Sequence, residues 1–198
     1  LPAGVQILSL FQSNPRLLDL VAEIMGSAPP LAEQLARNPI LLDGVLGAGF
    51  AEEAPGHDAL AAELDQSLAR ADDFQDVLDL CRRWNNDHKF HLGMRMLRGQ
   101  TDAHVAGPVF SEVASIAIDR MLKSVTKDFA AAHGRFRDAG LGVMALGKLG
   151  AREMSVGSDL DLVLVYGDAA AEASDGAKPL PPMVYFARLS QRLITALT

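Results

Sequence analysis

Two aspartates one residue apart, Asp159 and Asp161, lead into the apolar run Leu162-Val163-Leu164-Val165-Tyr166. A strand alternates its side chains between two faces, so acids at this spacing share a face. Carboxylates held side by side repel each other unless a cation lies between them. Oxygen-only ligands suit Mg²⁺, which takes one or two protein carboxylates and completes its shell with phosphate oxygens and water. Upstream, a second apolar run, Val143-Met144-Ala145-Leu146, ends at Gly147-Lys148. A helix opening at such a turn offers unpaired N–H groups and a positive dipole end to an anion. Lys148 adds a mobile positive charge. The chemistry implied is metal-assisted handling of a nucleotide phosphate.

Other constellations carry less. Gly142 to Leu149 has nearly the spacing of a P-loop, but Leu149 stands where that loop needs Ser or Thr to hold Mg²⁺. The residues between its glycines are also apolar and strand-like, so a P-loop is excluded. His88 and His91 lie one helical turn apart with Asp87 adjacent, but no third metal ligand is evident, and partial burial is expected instead. Arg82, Arg83, Lys89, Arg95 and Arg98 make the same helix basic. Asp72, Asp73, Asp76 and Asp79 are the expected partners, at spacings near one turn; a docking face is the sharper alternative. Cys81 falls on the apolar stripe and reads as inert core.

The elements that must position these groups follow from periodicity. Residues 5–12 are apolar at helical spacing, and Asn14-Pro15 and Asn38-Pro39 each read as an N-cap followed by a first-turn proline. A helix carrying Leu17, Leu18, Val21, Ile24 and Met25 should end at Gly26, and Pro29-Pro30 should break the chain before a second short helix. Residues 47–56 read as a loop, followed by helices over 58–70 and 73–98. The second carries the stripe Phe74, Val77, Leu78, Cys81, Trp84, His88, His91, Leu92 and Met96. A long helix is expected over 108–132, two strands within 141–166, a flexible acidic loop over 167–180, and a last helix opened by Pro181-Pro182.

Composition bounds the function. The 198 residues carry a net charge of −7 and are 49% hydrophobic. An acidic chain with a pI near 5.1 argues against non-specific nucleic-acid binding. A single cysteine forms no internal disulfide and fits a reducing cytoplasm. No apolar run approaches a membrane span. The start, Leu1-Pro2-Ala3-Gly4, lacks an initiating methionine and a signal region, and the end stops inside a helical pattern, so the chain reads as a piece of a longer polypeptide.

A glycine turn followed by Asp-x-Asp entering a buried strand is the pattern of DNA-polymerase-β-like nucleotidyltransferases. More narrowly, Ala145-Leu146-Gly147-Lys148-Leu149-Gly150-Ala151-Arg152-Glu153-Met154 through Ser158-Asp159-Leu160-Asp161-Leu162 closely resembles the glutamine synthetase adenylyltransferase family. Those bacterial enzymes carry two related nucleotidyltransferase halves. One attaches AMP to a tyrosine of glutamine synthetase, and the other removes it by phosphorolysis. Leu10 to Pro15 and Glu23 to Pro29 resemble the connector between the halves, Arg82-Arg83-Trp84 the lead-in to the second half, and Arg152-Glu153-Met154 that half itself.

The resemblance implies a mostly helical α+β chain: a helical connector over 1–56, a helical lead-in over 57–106, and the first part of a nucleotidyltransferase domain over 107–198. It implies that Asp159 and Asp161 hold Mg²⁺ and are catalytic, and that Gly147, Lys148 and Ser158 hold the phosphates of ATP, the substrate. Glu153 matches a recurrent acid without an assigned role. A third carboxylate belongs on a later strand, which Asp168 and Asp175 lie too close in sequence to supply, so this stretch alone reads as catalytically incomplete. The implied partners are glutamine synthetase and the PII signal protein, with no nucleic acid and no membrane, in a cytoplasmic monomer. The deadenylylating half and a non-catalytic docking fragment remain the alternatives.

Overall fold

In the computed structural model, residues 15–39, 41 and 55–198 are described. The expected helix over 5–12, the Asn14 cap, most of the second Asn-Pro helix and most of the 47–56 loop lie outside them.

The described chain is mostly helical, with one small antiparallel sheet. Helix α1 (Pro15–Ser27) and α2 (Pro29–Arg37) pack as a pair. Pro29-Pro30 does not merely interrupt the chain: the two prolines occupy the opening positions of α2, where a missing N–H costs nothing. Helices α3 (His57–Leu68), α4 (Phe74–Leu97) and α5 (Ala103–His133) follow. Strand β1 (Leu141–Ala145), the single turn α6 (Gly147–Gly150), β2 (Leu162–Tyr166) and α7 (Pro182–Leu197) complete the order.

Local chemistry explains the boundaries. Asp73 caps α4 by accepting the Asp76 N–H at 2.9 Å, and Asp76 accepts the Asp72 N–H at 3.0 Å. Two of the carboxylates expected to pair with the basic helix, those of Asp73 and Asp76, are thus spent on its start. Helix α5 begins five residues before the expected Pro108. Asp102 accepts the His104 and Val105 N–H groups at 2.9 and 3.0 Å, a strong cap. Pro108 sits inside the helix, where it removes one backbone bond.

Three hydrophobic clusters lie among the described residues, and α4 reaches all of them. The first joins α3, α5 and α7 through Leu64, Trp84, Ile116, Met121, Phe129, Phe186, Leu189 and Leu193. The second seats Phe90 and Met94 of α4 on Leu17, Ile24 and Leu31 of α1 and α2. Phe90, Gly93 and Met94 are off the single stripe expected for α4. The helix is buried on two sides because α1–α2 cover one and α5 the other. The third cluster sets Leu149 and Met154 against Leu92, Ala106, Phe110 and Ile118.

The sheet pairs Leu141 with Tyr166, Val143 with Leu164 and Ala145 with Leu162. Leu141, Val143, Leu162 and Leu164 turn toward the helices, as a two-stranded ribbon requires for stability. Met144, Val163 and Val165 face outward, 40–52% exposed. Tyr166 stacks on Phe186 at 4.6 Å, tying β2 to α7.

The acidic segment 167–180 forms a loop, as expected, and its backbone is tied to the end of α5. The Asp175, Gly176 and Lys178 N–H groups donate to the carbonyls of Arg135, His133 and Ala132, and Ser174 is buried. Gly134 (φ +70°) lies so close to Gly176 that a Cβ on either would overlap the other's backbone.

Removing core volume should therefore outweigh removing a cap. Phe186→Ala should destabilise by about 3–5 kcal/mol, and Asp102→Ala by about 1 kcal/mol. Urea unfolding followed by far-UV circular dichroism reads both.

Candidate functional site

The glycine turn and Asp161 meet at the end of the sheet. Beyond the last ladder pair, the Leu146 N–H donates to the Asp161 carbonyl at 2.8 Å. Asp161 therefore continues the register of β2, although both acids lie just ahead of the regular strand. Gly147 has φ +52°, and a Cβ there would overlap the Asp161 carboxylate. Glycine is required twice over: for the left-handed backbone, and to leave that carboxylate open at the turn. Gly150 is similarly constrained, since a Cβ would come 2.7 Å from the Ala145 carbonyl oxygen.

Helix α6 has no side-chain cap at its start, so its opening amides have no side-chain acceptor. Lys148 is exposed beside it, while Leu149 is buried. Asp159 and Asp161 are both exposed, whereas Leu160 between them lines a cavity with Lys89, Arg82, Phe110 and Met154. Asp159 is an electrostatic neighbour of Lys89: burial lowers the pKa of that lysine, and the Asp159 carboxylate opposes the shift. Ser158 is committed within its own loop. Its hydroxyl accepts the Ser155 N–H at 2.9 Å and lies 2.9 Å from the Ser155 hydroxyl. The structure thus brings Gly147 and Asp161 together, leaves the Asp159 carboxylate exposed, and gives the Ser158 hydroxyl a local partner.

The loop after α6 is docked on α5. The Met154 N–H donates to the buried Ser111 hydroxyl at 3.4 Å, and that hydroxyl donates to the Gly107 carbonyl at 2.8 Å. A Cβ on Gly107 would come 3.3 Å from the Arg152 carbonyl oxygen and from the Glu153 Cα. Arg152 donates to Glu112 at 2.8 Å, and His57 contacts the other oxygen of that carboxylate. Burial raises the Glu112 pKa, but hydrogen bonds from His57 and Arg152 outweigh it and hold the carboxyl below its ordinary value. Lys89 and Glu112 were the contributions hardest to foresee. No periodicity links Glu112 to partners 40 and 55 residues away.

The other constellations resolve into packing. His88 contacts Glu63 at 3.2 Å and lies against Trp84. Burial lowers the pKa of His91. Among the described residues no group of three or more His, Cys, Asp or Glu side chains could hold a metal. Arg82 pairs with none of the expected acids and donates instead to the Thr195 and Ala196 carbonyls at the end of α7. Cys81 is buried, its thiol pushed up to about 11 by desolvation. No helix among the described residues is long and apolar enough to cross a membrane.

A sequence model described as glutamate-ammonia ligase adenylyltransferase matches residues 18–198. The chain belongs to that family. Curated relatives bear the name bifunctional glutamine synthetase adenylyltransferase/adenylyl-removing enzyme. Those of Brucella suis and Mesorhizobium japonicum are each 45% identical over the whole chain. That of Agrobacterium fabrum is 41% identical over the same span. The chain covers about 20% of the length of each of these relatives. The family match extends over the glycine turn, the aspartates and the helices that carry them, from α1 within its first turn to α7.

Gly147→Ala should force the left-handed backbone onto a residue with a Cβ, at about 1–2 kcal/mol, and push the Asp161 carboxylate aside. Thermal melting reads the loss. Gly140→Ala, with open space around it, should leave the melting temperature nearly unchanged.

Proposed function

We propose that this chain contributes the opening of a nucleotidyltransferase domain that transfers AMP from ATP to a tyrosine of glutamine synthetase. The observation that carries the reading is the Asp161 carboxylate set against a glycine whose Cβ would cover it. Membership of an adenylyltransferase family supports the same direction. The division into a connector (1–56), a lead-in (57–106) and a nucleotidyltransferase part (107–198) belongs to this proposal, as do a cytoplasmic, monomeric enzyme and regulation through the PII signal protein.

Asp159 and Asp161 would hold Mg²⁺, and the donor set suits it: two carboxylate groups, with the remaining positions left to phosphate oxygens and water. When bound, Mg²⁺ neutralises charge on the triphosphate and on the departing pyrophosphate. The chain's own groups do the rest. The opening amides of α6 receive phosphate oxygens, and Lys148 adds a positive charge that can follow the phosphate. Ser158 is proposed for the same phosphates, which requires its hydroxyl to leave Ser155 or share its proton. The tyrosine oxygen attacks the α-phosphorus in line, the bond to the bridging oxygen breaks, and pyrophosphate leaves while the tyrosine proton passes to a base. Positioning and charge stabilisation supply the rate, since the residues here take no covalent part.

The relatives' names carry both addition and removal of the adenylyl group, which makes phosphorolytic removal the second reading of the same site. Asp161→Asn in an enzyme of the relatives' full length should reduce AMP incorporation into glutamine synthetase by at least about 10³-fold. Radiolabelled ATP measures it, and retained incorporation removes Asp161 from the mechanism. If the variant instead loses only phosphate-dependent release of AMP from modified glutamine synthetase, the second reading holds.

A further inference from the structure

Helix α6 ends in a way that its sequence does not announce. The Arg152 N–H donates to the Leu149 carbonyl at 3.1 Å and the Glu153 N–H to the Lys148 carbonyl at 2.8 Å. With Ala151 as C-cap, these are the paired bonds of a Schellman ending, whose left-handed position normally belongs to glycine. Here that position is Arg152, with φ +59°, the one non-glycine residue of positive φ among those described. A Cβ in this region is strained unless the surroundings over-determine it.

The surroundings are specific. The Arg152 guanidinium is held by Glu112, whose side chain is 19% exposed and is gripped from its other side by His57 at the start of α3. One turn earlier on α5, Gly107 lets the Arg152 carbonyl and Glu153 approach, and Ser111 receives the Met154 N–H. At the opposite side of α6, Gly150 packs under the Ala145 carbonyl. The single turn is clamped between β1 and α5, and the Arg152–Glu112 pair closes the clamp. The pair thus bears directly on the left-handed residue at which α6 ends.

We infer that Glu112 is a positioning residue for nucleotide binding: through Arg152 it holds the end of α6, and with it the Gly147 turn beside Asp161, in place for a nucleoside triphosphate. The inference rests on the proposed function and adds a residue of α5 to its machinery. Glu112 touches no reacting atom, so its loss should weaken substrate binding more than it slows the chemical step.

The test uses an enzyme of the relatives' full length and measures KM for Mg-ATP and kcat for AMP incorporation, with thermal melting alongside. Glu112→Ala should raise KM about tenfold and change kcat much less. Arg152→Ala, which keeps a Cβ but loses the ion pair, should do the same. Arg152→Gly removes the pair and the strain together, so its KM should stay near that of the parent. In that background Glu112→Ala should add no further rise, a non-additivity that marks action through Arg152. The inference is overturned if Glu112→Ala lowers the melting temperature with KM unchanged, or if its effect persists undiminished in the Arg152→Gly background. Asp161→Asn separates the two levels. If it is inactive while Glu112→Ala leaves KM unchanged, the positioning role alone fails. If it retains full activity, the proposed site itself fails.

Discussion

The close approach of the 152–154 loop to the opening turns of α5 is the contact on which the site depends. A one-turn helix has too few backbone bonds to stand alone. Helix α6 persists because Leu149 and Met154 are buried against Phe110 and Ile118, and because Gly107 presents no Cβ where Arg152 and Glu153 cross it. The buried Ser111 hydroxyl then receives the one loop amide that this docking would strand, that of Met154. Apolar burial sets the distance between loop and helix, and the hydrogen bonds set the angle.

That platform is rigid because α5 is shared. Its later turns, through Val113, Ile116, Met121, Val125 and Phe129, belong to the core with α3, α4 and α7. Its early turns, through Ala106, Phe110 and Ala114, belong to the cluster under the loop. The glycine turn is thus packed against the same helix that closes the main core. Helix α4 extends the same coupling: it reaches the core of α1 and α2 through Phe90 and Met94, and it carries Lys89 within the electrostatic reach of Asp159. Helices α4 and α5 thus both contribute charged neighbours to the loop between the two strands.

Much of this was legible in the chain. The 3.6-residue period located α3, α4, α5 and α7 to within a few residues, because each buries a face wide enough to leave a repeat. The apolar runs flanking Gly147 and Asp161 marked both strands, and the glycine turn followed from the residue that ends the first run. Errors cluster where one local preference competes with another. Pro108 suggested a helix start, but the Asp102 cap lay upstream and the helix tolerated the proline. Asp73 and Asp76 suggested ion pairs, but the backbone N–H donors at the start of α4 were nearer to their carboxylates than basic side chains along it. The acidic 167–180 segment read as a loop and is one, with backbone carbonyls at the end of α5 as its partners.

The sequence by itself determined the element types, the glycine turn, the paired acids and the family, since each is written in neighbouring residues or in a short period. Tertiary structure alone decided which groups act on each other across distance: Glu112 with Arg152 and His57, the Asp159 charge on Lys89, Gly107 with the loop backbone. Local patterns record what a residue prefers along its own element. A left-handed arginine, a half-buried lysine or a missing Cβ has meaning only once the opposing surface is in place.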